Sequence, residues 1–138
     1  MEGRKARVVI SSTQIIDGQA DSIREEYDAY YLSRNGKHYF TYEKEDEDKP
    51  IKVLATISED LLVIKQTGRI ETLMQFKKYE SFANDYQTPF GCFKPVTDTR
   101  DYELEVGEEE LNLKLAYFLD MQQGKPIQTE LKFQALFE

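Results

Sequence analysis

The sequence predicts an all-β protein, an antiparallel up-and-down meander of about eight to ten strands closed into a barrel. Three observations carry that expectation. Apolar residues recur with a period of two in one segment after another. Short turns bearing glycine or asparagine separate those segments. No stretch sustains a helical period.

The elements follow in chain order. Arg7 to Ile16 is rich enough in β-branched residues for a strand, although Ser11, Ser12 and Thr13 blur its alternation. Asn35-Gly36 is a strong hairpin signal that sets Tyr31 opposite Phe40 and Ala29 opposite Tyr42, with Tyr27 continuing the face. Residues 44 to 50, KEDEDKP, read as a solvated connector. Ile51 to Ser58 forms the next strand and turns at Glu59-Asp60. A three-residue loop around Gly68 would align Leu62 with Met74 and Ile64 with Thr72. Residues 76 to 85, FKKYESFAND, have room for one helical turn, but strand or loop is expected.

Near the C-terminus, glycine first in Gly107-Glu108 suits a two-residue loop at positive φ, placing Leu104 opposite Leu111 and Tyr102 opposite Leu113. The surrounding EVGEEE, residues 105 to 110, is then a solvated turn rather than a calcium site. Leu111, Leu113, Leu115, Tyr117, Leu119 and Met121 alternate with polar or outward residues, and Ile127, Leu131, Phe133, Ala135 and Phe137 do the same. Folding at Gly124 sets Tyr117 against Leu131, Leu115 against Phe133 and Leu111 against Phe137. Such consecutive hairpins leave open sheet edges unless the first and last strands meet, which favours barrel closure over a two-sheet sandwich.

Composition bounds the function. The chain has 138 residues, 40% of them apolar and 32% charged, which suits one soluble barrel domain over 1–138. Its net charge of −8 opposes binding to nucleic acid or anionic membranes. The longest aliphatic run, Leu61 to Ile64, cannot span a bilayer, and the opening residues lack the apolar core of a secretory signal. A cytoplasmic protein is expected. The lone Cys92 allows no internal disulfide and reads as a small core residue.

Residues 86 to 91, YQTPFG, interrupt the alternation. Proline pushes Thr88 into extended geometry and cannot donate to a ladder, and Gly91 then permits a bend. A barrel corner is the expectation, with Tyr86, Thr88 and Phe90 on one face covering a barrel end. The alternative is a pocket rim presenting the Tyr86 and Thr88 hydroxyls.

The same stretch, preceded by Met74-Gln75-Phe76 and by the Tyr39-x-x-Tyr42-Glu43 strand, resembles the YwiB-like family of bacterial proteins. The likeness runs from about Gly36 to the end through Thr97 and the strands beyond it. Lys65 departs from it where an arginine is expected. The resemblance implies a calycin-like, lipocalin-type barrel and no reaction.

Catalytic chemistry finds little support. The single histidine, His38, sits beside the Asn35-Gly36 turn, opposite Ser33, where solvation is the simple reading and a pocket-mouth contact the other. No acid, base and nucleophile form a set, and no phosphate loop, zinc motif, EF-hand or cofactor signature occurs. Carboxylates lie mainly in connectors, and Glu43 points away from Tyr42; an inward carboxylate would be the one to watch.

Tyrosine is the remaining clue: nine tyrosines and no tryptophan. Tyr27, Tyr31, Phe40, Tyr42, Tyr102 and Tyr117 fall on inward faces. Buried phenols need partners, so the interior is either plugged by bonded tyrosines or presents hydroxyls to a ligand. Two readings follow. One is a barrel holding a small hydrophobic or amphipathic molecule through Tyr31, Phe40, Tyr42, Tyr86, Thr88, Tyr102 and Tyr117. The other is a non-catalytic scaffold whose acidic surface meets a basic protein. Phe118, an aromatic residue on an outer face, hints at a contact patch.

Overall fold

A computed structural model describes residues 3–46, 49–122 and 124–138. The connector expected at residues 44 to 50 therefore lies partly outside the described residues, at Glu47 and Asp48. The strands are β1 (Arg4–Ile16), β2 (Gln19–Arg34), β3 (Lys37–Lys44), β4 (Ile51–Ile57), β5 (Leu61–Thr67) and β6 (Glu71–Lys77). They continue as β7 (Ser81–Ala83), β8 (Asp85–Thr88), β9 (Gly91–Phe93), β10 (Val96–Val106), β11 (Glu110–Asp120) and β12 (Ile127–Phe137). All pairing is antiparallel. The twelve strands form one sheet in the order β7-β10-β11-β12-β1-β2-β3-β4-β5-β6-β8-β9. The count exceeds the expected range because the segment around YQTPFG breaks into short pieces.

The first and last strands do meet, from Ala6 opposite Phe137 to Ile15 opposite Gln128. Asn35 and Gly36 both take positive φ, 53° and 76°, and place Tyr31 opposite Phe40 as the sequence predicts. Asp17 and Gly18 repeat that geometry at 52° and 78° and join β1 to β2 in a long hairpin beyond those expected. Glu59-Asp60 turns as predicted, with Ile57 opposite Leu62.

Elsewhere the predicted faces hold but the registers slide by two residues. Leu104 pairs Leu113, Tyr102 pairs Leu115, and Gly107 lacks the positive φ assigned to it. Leu62 pairs Phe76, and Ile64 pairs Met74. Tyr117 pairs Thr129, Leu115 pairs Leu131, Leu113 pairs Phe133 and Leu111 pairs Ala135. A slip of two preserves which side chains point inward, so hydrophobicity cannot oppose it; loop geometry decides.

Inside, Val8, Phe40, Val53, Ile57, Leu62, Leu111, Leu113 and Phe133 belong to one buried cluster that fills the centre of the curl. A bulge between Thr99 and Asp101 turns the inward set of β10 from Thr97 and Thr99 to Tyr102 and Leu104.

The sheet curls until β6 faces β10, and the segment 81–88 fills the seam between them. Its first half, β7, pairs with β10 through Val96–Ala83 and Asp98–Ser81. Its second half, β8, pairs with β6 through Thr72–Tyr86 and Leu73–Asp85. Asn84, 2% exposed, is where the segment changes partner. Its backbone N–H donates to Pro95 O at 2.9 Å, while its side-chain Oδ1 accepts from Gln75 N–H at 2.8 Å. Its Nδ2 donates to Pro95 O at 3.0 Å and to Thr97 Oγ1 at 3.1 Å. Thr97 Oγ1 in turn donates to Gln75 O at 2.5 Å. Both backbone groups of Gln75 are thus satisfied by side chains where no strand reaches them.

A sharp contrast follows on β10. Thr97→Val leaves Gln75 O without its hydroxyl partner and removes one of the acceptors of Asn84 Nδ2, and should destabilise by about 2 kcal/mol, with Asn84→Ala worse at about 3 kcal/mol. Thr99 is equally buried, but its hydroxyl has no hydrogen-bond partner. Thr99→Val should be neutral or stabilising by up to about 1 kcal/mol. Urea unfolding midpoints check the order, and equal losses at Thr97 and Thr99 would refute the account of the seam.

Candidate functional site

The β2–β3 ladder runs from Arg34–Lys37 to Tyr30–Thr41 and stops. Beyond it, β2 continues paired only with β1 back to Gln19, and β3 continues with β4 as far as Lys44–Ile51. The wall splits there. The split opens a cleft of about 1120 Å³ that passes from outward-facing Tyr30, Thr41 and Lys52 to inward-facing Tyr27, Tyr42 and Val53.

The floor of the cleft is aromatic. Tyr27 stacks on Tyr42 with ring centroids 4.6 Å apart and planes 21° from parallel. Glu25 lies two residues before Tyr27 on the same strand face, and the Tyr27 hydroxyl donates to its carboxylate. Burial, followed by the Glu25 bond, pushes the Tyr27 phenol well above its ordinary pKa. Burial, then the nearby Tyr27 and Glu25, does the same to Tyr42. Both phenols stay neutral across the physiological range, which leaves the Glu25 carboxylate as the anion of the floor.

The outer rim is charged and mostly self-paired. Arg7 reaches Glu26 and Asp28, each at 2.9 Å, and Arg24 reaches Glu26 at 2.8 Å. Lys52 stands opposite Glu43 in the β3–β4 ladder, and Lys65 stands opposite Leu54 in the next. Glu43 is exposed and points outward as expected.

The residues expected to form a site do not converge. Tyr31 and Phe40 join a separate aromatic group: Tyr31 lies 4.9 Å from Phe40 and 4.5 Å from Phe137. Tyr102 is buried and donates its hydroxyl to Ser58 O at 2.7 Å. Tyr117 packs against Phe76 at 4.7 Å, and burial pushes its phenol up to about 12. Of the seven, Tyr42 alone lines the cleft. Tyr86 and Thr88 sit on the seam segment, where Thr88 Oγ1 accepts from Phe90 N–H and donates to Gly91 O, each at 3.1 Å.

YQTPFG is therefore a tight hairpin rather than a barrel corner. Thr88 pairs Gly91, Gly91 takes φ 145°, and proline occupies the first turn position, where its fixed φ fits. Phe90 is 90% exposed and covers nothing. Cys92 follows it into solvent on β9, an edge strand, which corrects its reading as a core residue.

His38 departs from the solvated reading too. Its Nδ1 shares a hydrogen bond with the Tyr31 hydroxyl at 2.7 Å, its ring stacks on Tyr31 at 5.8 Å, and burial lowers its pKa. Glu25 is the residue that sequence reasoning left out. Its parity with Tyr27, Ala29 and Tyr31 marked it as inward. Among the described residues, no three His, Cys, Asp or Glu side chains gather as a metal would require. No described helix is long and apolar enough to cross a membrane.

Comparison with known proteins agrees with this architecture. A family described as a domain of unknown function (DUF1934) matches residues 8–133. The uncharacterized β-barrel protein YwiB of Bacillus subtilis (strain 168) is 24% identical over 108 residues, covering 78% of this chain and 75% of the relative. The crystal structure of the ywiB protein from Bacillus subtilis aligns with a TM-score of 0.88 at 18% identity, over 99% of this chain and 93% of that one. That structural likeness concerns the fold.

The His38 environment yields a pH dependence. A folded pKa below the unfolded value means that the unfolded chain binds the proton more readily. Stability from neutral His38 is full above about pH 6.5 and is lost as pH falls through the lowered folded value. Thermal unfolding between about pH 7 and pH 5 should show a falling midpoint, and His38→Gln should flatten that slope. An unchanged slope in the variant would assign the effect to other groups.

Proposed function

The chain belongs to the DUF1934 family, and on that footing we propose that this member is a non-catalytic binding protein that holds a small amphipathic molecule in the cleft between β2 and β3. One observation carries the reading: the ladder between these strands ends at Tyr30–Thr41 and opens a cleft lined by the half-buried Tyr27, with Tyr42 and Val53 buried beneath it. A concave site with an apolar aromatic floor and a polar rim suits a ligand with one apolar and one polar end.

The seat differs from the central lumen that the inward tyrosines suggested. Phe40, Phe133, Leu111 and Leu113 occupy the centre, and the hydroxyls of Tyr31 and Tyr102 are engaged by His38 and Ser58. A ligand entering there would displace packed side chains at about 2–5 kcal/mol for each large residue disturbed. Entering the split wall displaces water instead.

A naphthyl series bearing a methylammonium, a hydroxymethyl or a carboxylate group tests the site. At least one member should bind saturably, with a dissociation constant on the order of 0.1 to 1 mM for so small a ligand. Thr41→Trp fills the mouth from an exposed position and should abolish that binding with little change in stability. Tyr117→Phe, deep on the far side of the core, should leave it intact. Loss through Tyr117→Phe but not Thr41→Trp would move the ligand into the lumen, and no binding by any member would end the proposal.

A further inference from the structure

Resting on the cleft reading above, we propose that the polar end of the ligand is a cation, an ammonium group taken by the Glu25 carboxylate against the half-buried ring of Tyr27, which Tyr42 backs from the core.

The cleft offers charges of both signs, so the sign of the ligand turns on where each charge sits. Lys52 and Lys65 lie on the outward face of β4 and β5, in water, where an ion pair is worth little. Lys52 also has Glu43 directly across the ladder. Arg7 and Arg24 are occupied by Glu26 and Asp28. Glu25 differs in each respect. It shares the inward face with Tyr27, stands opposite Ile10 of β1, and among the described residues forms no ion pair. The Tyr27 hydroxyl satisfies part of its acceptor capacity and fixes its position, leaving further lone pairs open.

The Tyr27 ring, stacked on Tyr42, adds a second attraction of the same sign. Stacked phenols present negative π-faces, and a cation near a partly desolvated ring gains more than one in bulk water. An anion at this spot would meet Glu25 and those faces together. Lys44 is the chain's own competitor, since it follows Tyr42 on the same face of β3 and lines the cleft. No described ion pair joins it to Glu25.

The naphthyl series discriminates these outcomes on the intact protein. The methylammonium compound should bind about tenfold more tightly than the alcohol, and the carboxylate should bind weakest. Glu25→Gln keeps an acceptor for the Tyr27 hydroxyl and should bring the ammonium down to the level of the alcohol. The alcohol's own affinity should not change, which also reports that the variant is folded. Lys44→Gln should raise ammonium affinity about two- to fivefold. Equal binding of ammonium and alcohol, tightest binding of the carboxylate, or a preference surviving Glu25→Gln overturns the ammonium assignment while the cleft stands. Absence of binding by all three compounds removes the cleft itself.

Discussion

The structure depends on how Gln75 is satisfied. A sheet that curls to meet itself must supply a partner for every buried N–H and C=O along the meeting line. Here the meeting strands, β6 and β10, are bridged by a segment that pairs with one and then the other, so a gap is unavoidable at the crossing point. Asn84 and Thr97 close that gap with side chains: an amide oxygen takes the Gln75 N–H, and a hydroxyl takes its carbonyl. An amide serves because it donates and accepts at once, holding Gln75 on one side and Pro95 and Thr97 on the other. Valine or leucine at either position would fill the space and leave the strands unjoined.

The cleft lies across the ring from this seam. In the sheet order, β11, β12 and β1 separate β10 from β2, while β4 and β5 separate β6 from β3. The molecule is two curved halves, joined by side chains along one line and by half a ladder along the other. The long β1–β2 hairpin drives the second opening, because β2 follows β1 to the Asp17-Gly18 turn after its pairing with β3 has ended. The resulting free edge of β2 is guarded by charge: Asp21, Arg24, Glu25, Glu26 and Asp28 occupy it, a composition that discourages pairing with another chain. The split wall therefore exposes aromatic surface without offering a clean edge for aggregation.

The sequence made side-chain parity legible and left absolute register hidden. Leu111, Leu113, Leu115 and Tyr117 point inward under either pairing that differs by two residues, so their spacing carries no information about which is used. Asn35-Gly36 is the opposite case: a turn whose positive φ values suit asparagine and glycine has one register, and Tyr31 found Phe40. Asp17-Gly18 held the same information and joins the strands that flank the cleft. The seam was not legible, since nothing local marks Asn84 as a crossing point. Its partners Gln75 and Thr97 stand nine and thirteen residues away.

Glu25 shows why the site was harder to read than the fold. Parity alone placed it inward beside Tyr27, yet a charged residue in a strand of alternating charges reads as solvated surface. Two facts that parity does not contain change its meaning. The neighbouring strand departs just beyond Tyr30, so the inward face at Glu25 is open to water rather than sealed. Tyr42 arrives from that departing strand to stack on Tyr27, so the opening is lined by rings rather than by backbone. A carboxylate deep in the core would have to be neutralised, and one on the outer rim would be levelled by solvent. At the lip of a split wall its surroundings are already partly dry, and there a single charge can select the sign of a ligand.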